Sequence, residues 1–238
     1  MKNKKGFTLA EVLITLTVIG IIAAITIMII NSNIKKAEIE AKLKKAVSVL
    51  NSAIYKATID YGPPDQWPEM GNNTDYKIIA QKYIAPYLTT LKPVKDISLK
   101  DLGYKSDIKA PNGSKFARMG SSYTNRYPVI ILNDGTTFLK IYYGARQFEY
   151  IIDINGPKGP NVAGKDVFQL AIDTTKQTPI ARMFILKTQR RDSETGEIYF
   201  EDNTSLNTDN SCGKAGQYCG WLIERNGYKI PDDYPIKI

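Results

Sequence analysis

The chain begins with a block unlike anything after it. Met1–Gly6 is short, polar and basic, with Lys2, Lys4 and Lys5. Phe7–Ile30 (FTLAEVLITLTVIGIIAAITIMII) is then apolar for 24 residues, with one charge, Glu11. As a helix rising about 1.5 Å per residue this run reaches roughly 36 Å, enough to cross a hydrocarbon layer of about 30 Å with some tilt. No second run like it follows, so the sequence reads as single-pass at most. Beyond Asn31–Asn33 the pattern changes. Ile34, Leu43, Ala46, Val47, Leu50, Ala53, Ile54 and Ala57 fall mostly at steps of three and four, while Lys35, Lys42, Lys44, Lys45, Ser48, Ser52 and Lys56 take the other positions. That is an amphipathic helix with one apolar stripe. Asp60–Pro64 (DYGPP) ends it, because Gly62 and two prolines cannot continue a helix. The pattern predicts one long helix from Phe7 to Tyr61, softened at most near Gly20 or Asn31–Asn33. A second helix after a hinge at residue 33 is the alternative.

Past residue 62 the periodicity weakens and then turns to strand. Asp75–Leu88 predicts a short helix with Ile78, Ile79, Tyr83 and Ile84 on its apolar side, and residues 89–127 show little pattern. Pro128–Leu132 and Thr136–Tyr143 flank Asn133-Asp134-Gly135, a hairpin signal, because Asp-Gly supplies the backbone angles of a tight turn. Gln147–Ile154 predicts a third strand. Phe168, Leu170, Ile172, Ile180, Met183, Phe184 and Ile185 complete the expected core, and Trp221–Tyr228 reads as a last strand and turn. The economical fold is α+β: an antiparallel sheet against the second half of the long helix.

Composition narrows the chemistry. There is no histidine among 238 residues, which removes Ser-His-Asp and Cys-His catalysis and imidazole metal ligands. Scattered acids such as Asp153 with Asp166, or Glu194 with Glu197, read most simply as solvated or loop residues, so the expectation is no enzyme. The apolar block excludes a secretory signal peptide, which would have an apolar core of about 7–15 residues and then a small-x-small cleavage site. A plain anchor explains its length but not Glu11, since an acid inside an apolar helix costs a few kcal/mol unless it is paired or interfacial.

The residues at this junction carry a resemblance. Gly6-Phe7-Thr8-Leu9-Ala10-Glu11, after a short basic leader and before the apolar run, resembles the class III leader junction of type IV pilins and of the pseudopilins of type II secretion systems. The resemblance implies a pilin-like fold and a division into four parts. These are a leader, 1–6, removed by a prepilin peptidase; a transmembrane and filament-core helix, 7–30; an amphipathic continuation, 31–61; and an extracytoplasmic head, 62–238. It implies a cut between Gly6 and Phe7 and methylation of the new Phe7 amine. Gly6 lets the backbone extend into a protease cleft without steric cost. The Phe7 amine, with an ordinary pKa of about 7.7–8.0, makes Glu11 its counter-ion on a neighbouring subunit. The implied partners are the peptidase, other pilin or pseudopilin subunits, and an inner-membrane assembly platform with its ATPase. The implied place is the cytoplasmic membrane, N-terminus inside. Charge alone leaves the orientation open, because lysines flank both ends of the span.

Three features of the distal chain remain. Cys212 and Cys219, in SCGKAGQYCG, are the only cysteines. Their spacing permits a disulfide, which would form outside the cytosol, and equally permits two free thiols. The resemblance favours the bond, which many pilins use to close a C-terminal loop. Asp153, Asn155, Asn161 and Asp166 lie on a Gly- and Pro-punctuated loop (DINGPKGPNVAGKDVF). Oxygen ligands there would suit calcium, as in some pseudopilins, while the spacing is not that of an EF-hand and turn geometry explains the same residues. No other cofactor is expected. Lys109, Lys115, Arg118, Arg126, Arg182, Lys187, Arg190 and Arg191 could supply a basic face for nucleic acid, as in DNA-uptake pilins. Loss of the leader would leave 29 basic against 24 acidic side chains, a modest excess, so nucleic acid is not the expected partner. The first expectation is a structural subunit for protein secretion. The loop-rich stretch at 62–127 suits a minor or specialised subunit, with DNA uptake or adhesion as alternatives.

Overall fold

The computed structural model describes residues 6–68, 76–90, 93–120, 123–144, 147–173, 180–184, 187–195, 198–202 and 209–238. Its elements follow the α+β expectation. Helix α1 (Leu9–Tyr61) is unbroken over 53 residues, without an interruption at Gly20 or at Asn31–Asn33. Six strands form one antiparallel sheet in sequence order: β1 (Lys95–Ile97), β2 (Tyr127–Ile131), β3 (Thr137–Gly144), β4 (Gln147–Asp153), β5 (Val167–Asp173) and β6 (Ala181–Met183). A separate hairpin pairs β7 (Lys187–Arg191) with β8 (Ile198–Asp202).

The chain divides into two compact units, Met1–Glu38 with Ile238, and Ile39–Lys237. In the first, every described apolar side chain of the helix faces outward, from Leu9 at 81% exposure to Ile30 at 50%. The second holds the core. Leu43, Ala46, Val47, Leu50, Ala53, Ile54 and Ala57 are all buried there, which is the stripe read from the sequence without Ile34.

Helix α1 stops where the sequence says it should. Gly62 takes a positive φ of 77°, its N–H donates to Thr58 O at 3.0 Å, and Pro64–Gln66 follow as a 3-10 turn. This is the left-handed helix end that glycine makes cheap. The end is then fastened by aromatics. Trp67 stacks on Tyr83 at 4.0 Å, Tyr61 meets Tyr83 edge-on at 5.0 Å, and Tyr87 hydrogen-bonds the Asp60 carboxylate. Tyr83 belongs to a helical run made of α2 (Tyr76–Ile78), a π turn (Ile79–Ile84) and a 3-10 turn (Ala85–Tyr87). Within it Ile79, Tyr83 and Ile84 are buried as expected, whereas Ile78, in the first turn, is 39% exposed.

The sheet is buried on both faces. Register puts Ile141, Tyr150, Leu170 and Met183 in one row and Phe138, Ile152 and Phe168 in another on the same face. The opposite face carries Ile151 and Val167, which pack with Leu99, Tyr104, Ile108, Phe116 and Met119. The stretch that lacked periodicity in the sequence therefore supplies a second core layer, through single apolar residues set in turns and irregular backbone. The stripe of α1 is buried as well, and Asn51 beside it bonds to Ala181 of the edge strand β6.

Several expectations need correction. Trp221–Tyr228 is not a strand: Cys219–Arg225 forms helix α3. The short apolar run Trp221-Leu222-Ile223 is ambiguous between the two states, and Tyr218, at φ 61°, turns the chain into the helix. Ile180 is 55% exposed, because it lies just before the edge strand β6. Ile185 and Asp75 lie outside the described residues. Asp153 and Asp166 sit at a loop but are not solvated, being 0% and 2% exposed.

Candidate functional site

The N-terminal junction is built by local hydrogen bonding. Thr8 is the residue before helix α1, and its hydroxyl accepts from Glu11 N at 3.2 Å. In return Glu11 Oε2 accepts from Thr8 N and from Thr8 Oγ1, both at 2.8 Å. This reciprocal pair is a capping box, which satisfies helix-start donors that have no partner inside the helix. The sequence left Glu11 in need of a partner, and Thr8 is a local one that it did not identify. Threonine three residues ahead of a glutamate was the available signal. Phe7, just outside the helix, is 88% exposed. The helix that follows is long and apolar enough to cross a membrane, and its most apolar window is wholly unburied.

At the other end of the chain three segments interlock. Cys212 and Cys219 are joined by a disulfide with Cα atoms 4.9 Å apart. Gly164 of the 153–166 loop packs so closely that a Cβ there would come within 2.7 Å of Cys219 Sγ and 2.4 Å of Ile236 Cδ1. Tyr234 Oη donates to Gly164 O at 2.7 Å, which fixes the C-terminal segment over the loop. That segment reaches α1 as well. Glu40 accepts from Lys229 Nζ at 2.7 Å and from Ile230 N at 2.9 Å. Lys45 of α1 pairs with Asp134 of the β2–β3 turn at 2.7 Å. Glu40 and Lys45 tie α1 to the C-terminal segment and to the β2–β3 turn, contacts that their charges alone did not reveal.

Asp153, Asn155, Asn161 and Asp166 are brought together by this loop, in the following way. Asp153 Oδ1 accepts from Asn155 N at 2.9 Å and Gly156 N at 2.8 Å, and its Oδ2 accepts from Tyr104 Oη at 2.8 Å. Asp166 Oδ2 and Oδ1 accept from Asn161 N and Val162 N, each at 2.7 Å. Asn155 Nδ2 donates to Gly159 O at 3.0 Å. The Asn161 amide is satisfied when its nitrogen donates to Gly156 O at 3.2 Å and to Asp153 Oδ2 at 3.3 Å. Burial pushes the Asp153 carboxyl up to about 7 and raises Asp166 too, with the backbone N–H bonds pulling the other way. Calcium takes 6–8 oxygens. Here every carboxylate oxygen already accepts from the protein, and no three acidic, histidine or cysteine side chains cluster among the described residues. The donor set fits a turn lock better than a cation cage.

Three of the candidate basic residues sit in intramolecular pairs. Lys115 meets Asp107 at 2.9 Å, Arg126 meets Asp101 at 3.2 Å, and Arg118 lies 3.8 Å from Glu149 with its guanidinium 5.1 Å from the Phe184 ring centre. Glu149 itself is buried, and burial pushes its carboxyl up to about 7 against the pull of Arg118 and Lys140. Lys187, Arg190 and Arg191 lie on β7.

Residues 29–238 match the family of unknown function DUF6613, and residues 1–27 match the prokaryotic N-terminal methylation motif. The chain belongs to DUF6613. The motif makes this DUF6613 protein a type IV pilin-like subunit, processed by a prepilin peptidase and anchored by its N-terminal helix. No curated protein and no solved structure matches the chain.

Proposed function

We propose that this protein is a structural subunit of a filament that works in protein secretion. It is cut between Gly6 and Phe7, methylated at Phe7, and held in the cytoplasmic membrane with its N-terminus inside and its head outside. The observation that carries the reading is the junction itself. A cleavable-looking Gly-Phe pair leads straight into an apolar helix that is bare along its length and holds one acid at its start. A bare apolar helix is stable only in lipid or against other helices. Removal from lipid therefore favours packing against further copies. In the single subunit Glu11 is occupied by the Thr8 cap; in the filament the Phe7 amine of a neighbour takes that place, which neutralises a charge costly to bury alone. The assembly platform and ATPase supply the work of extraction.

Protein secretion is preferred to DNA uptake because several of the cations that could face nucleic acid are already paired with carboxylates of the same chain. The head's turn-rich second layer suits a minor or specialised subunit. Glu11→Val tests the assembly step. The variant is expected to fractionate with membranes as the parent does, while cross-linked ladders of the subunit fall at least tenfold. Ladders of undiminished length would remove Glu11 from the mechanism.

A further inference from the structure

The last strand of the sheet is closed by side chains. Ala181 pairs with Ile172 and Met183 with Leu170, and the backbone groups of Ala181 turn away from β5. Asn51 of α1 meets them as a strand would: its Oδ1 accepts from Ala181 N at 2.6 Å and its Nδ2 donates to Ala181 O at 3.0 Å. Two residues on, the Glu224 carboxylate of α3 accepts from Met183 N, with both oxygens at 3.2 Å. Helix α3 sits tightly on the strand, since a Cβ on Gly220 would come within 2.5 Å of Met183 Sδ.

Edge strands carry unpaired N–H and C=O groups that template another chain. On β6 those groups come from Ala181 and Met183, so an antiparallel copy related by a two-fold axis at Arg182 would match Ala181 of one chain with Met183 of the other. Such an edge is complementary to itself. We propose that Asn51 and Glu224 are plugs that close β6 against strand addition by a second copy of this chain. With this edge closed, ordered association is left to the bare half of α1. That consequence rests on the filament reading; the plug itself does not.

Asn51→Leu tests it. Leucine keeps the branched shape and heavy-atom count of asparagine and is the better helix former, but offers nothing to Ala181. Amide exchange is followed by mass spectrometry on the peptide spanning 180–184 of the full chain in detergent, over a hundredfold range of protein concentration. The parent is expected to show slow exchange at every concentration. The variant is expected to exchange at least tenfold faster when dilute and to regain protection when concentrated, as a second copy pairs with the edge. Fast exchange that concentration does not reverse would overturn the proposal, as would exchange unchanged from the parent. Glu224→Gln, which retains an acceptor, and Glu224→Ala, which does not, give the same contrast at Met183 should Asn51→Leu fail to fold.

Discussion

One helix in this protein is asked to live in two surroundings, and the two halves differ in how they are apolar. From Leu9 to Ile30 apolar side chains lie on every side of the helix and are exposed on every side. From Leu43 to Ala57 only one stripe is apolar, every member of it is buried, and its flanks carry the polar clamps Glu40, Lys45 and Asn51. Helicity does not separate these halves, because α1 is continuous. What separates them is whether the apolar residues are confined to a face. A face calls for one partner surface within the chain; a full circumference calls for lipid or for several helices.

The comparison breaks most readily at Leu50. Leu50→Ala should destabilise the head by about 2–5 kcal/mol, the usual cost of truncating a fully buried leucine, whereas Ile19→Ala should change it by less than about 0.5 kcal/mol. Urea unfolding in detergent, followed by tryptophan fluorescence, checks both; equal effects would mean that the bare half belongs to the head's core. A smaller effect is a dependence on pH that arises in the head, at Glu149 of β4. Glu149 titrates near 7 in the folded protein against an ordinary 4.5, so the folded state holds the proton more tightly. Its contribution is fully present below about pH 4.5 and is lost as pH rises through about 7, and Glu149→Gln should lessen the fall in melting temperature over that interval, the remainder belonging to Asp153, which burial also raises to about 7. The smallest expected effect is that of calcium. Because the Asp153 and Asp166 oxygens are occupied by the chain's own donors, the melting temperature should be the same in millimolar calcium and in chelator. A rise of several degrees in calcium would install the ion in the 153–166 loop.

Much of this was legible before the fold was known, for reasons particular to each element. The stripe on α1 repeats over four turns, too long to be accidental, and seven of its eight members are buried. Ile34 fails because it lies ahead of the head unit. Asp134-Gly135 marked the β2–β3 turn, and the register Ile131 to Thr137 places it there. The second core layer was illegible because Leu99, Tyr104, Ile108, Phe116 and Met119 belong to turns and irregular stretches and have no common period. Helix α3 was misread because three apolar residues in a row carry no period at all. At the candidate site, Gly6, Phe7 and Glu11 stood out through order and spacing. Glu40 and Asn51 did not, since each is one polar residue on a helix rich in them. Their meaning lies in backbone groups about 130 or more residues away, Ala181 N and Ile230 N. A lone amide bordering an apolar stripe was the signal available.

The central claim is that the first six residues are a leader and the next two dozen a retained anchor. The intact mass of the protein, extracted from membranes of cells that hold the peptidase, tests it most directly. The account predicts a mass lower by Met1–Gly6 and higher by one methyl group, with fragmentation placing the methyl on the Phe7 nitrogen. A chain that still carries Met1–Gly6, or one cut after Ile30, would contradict it.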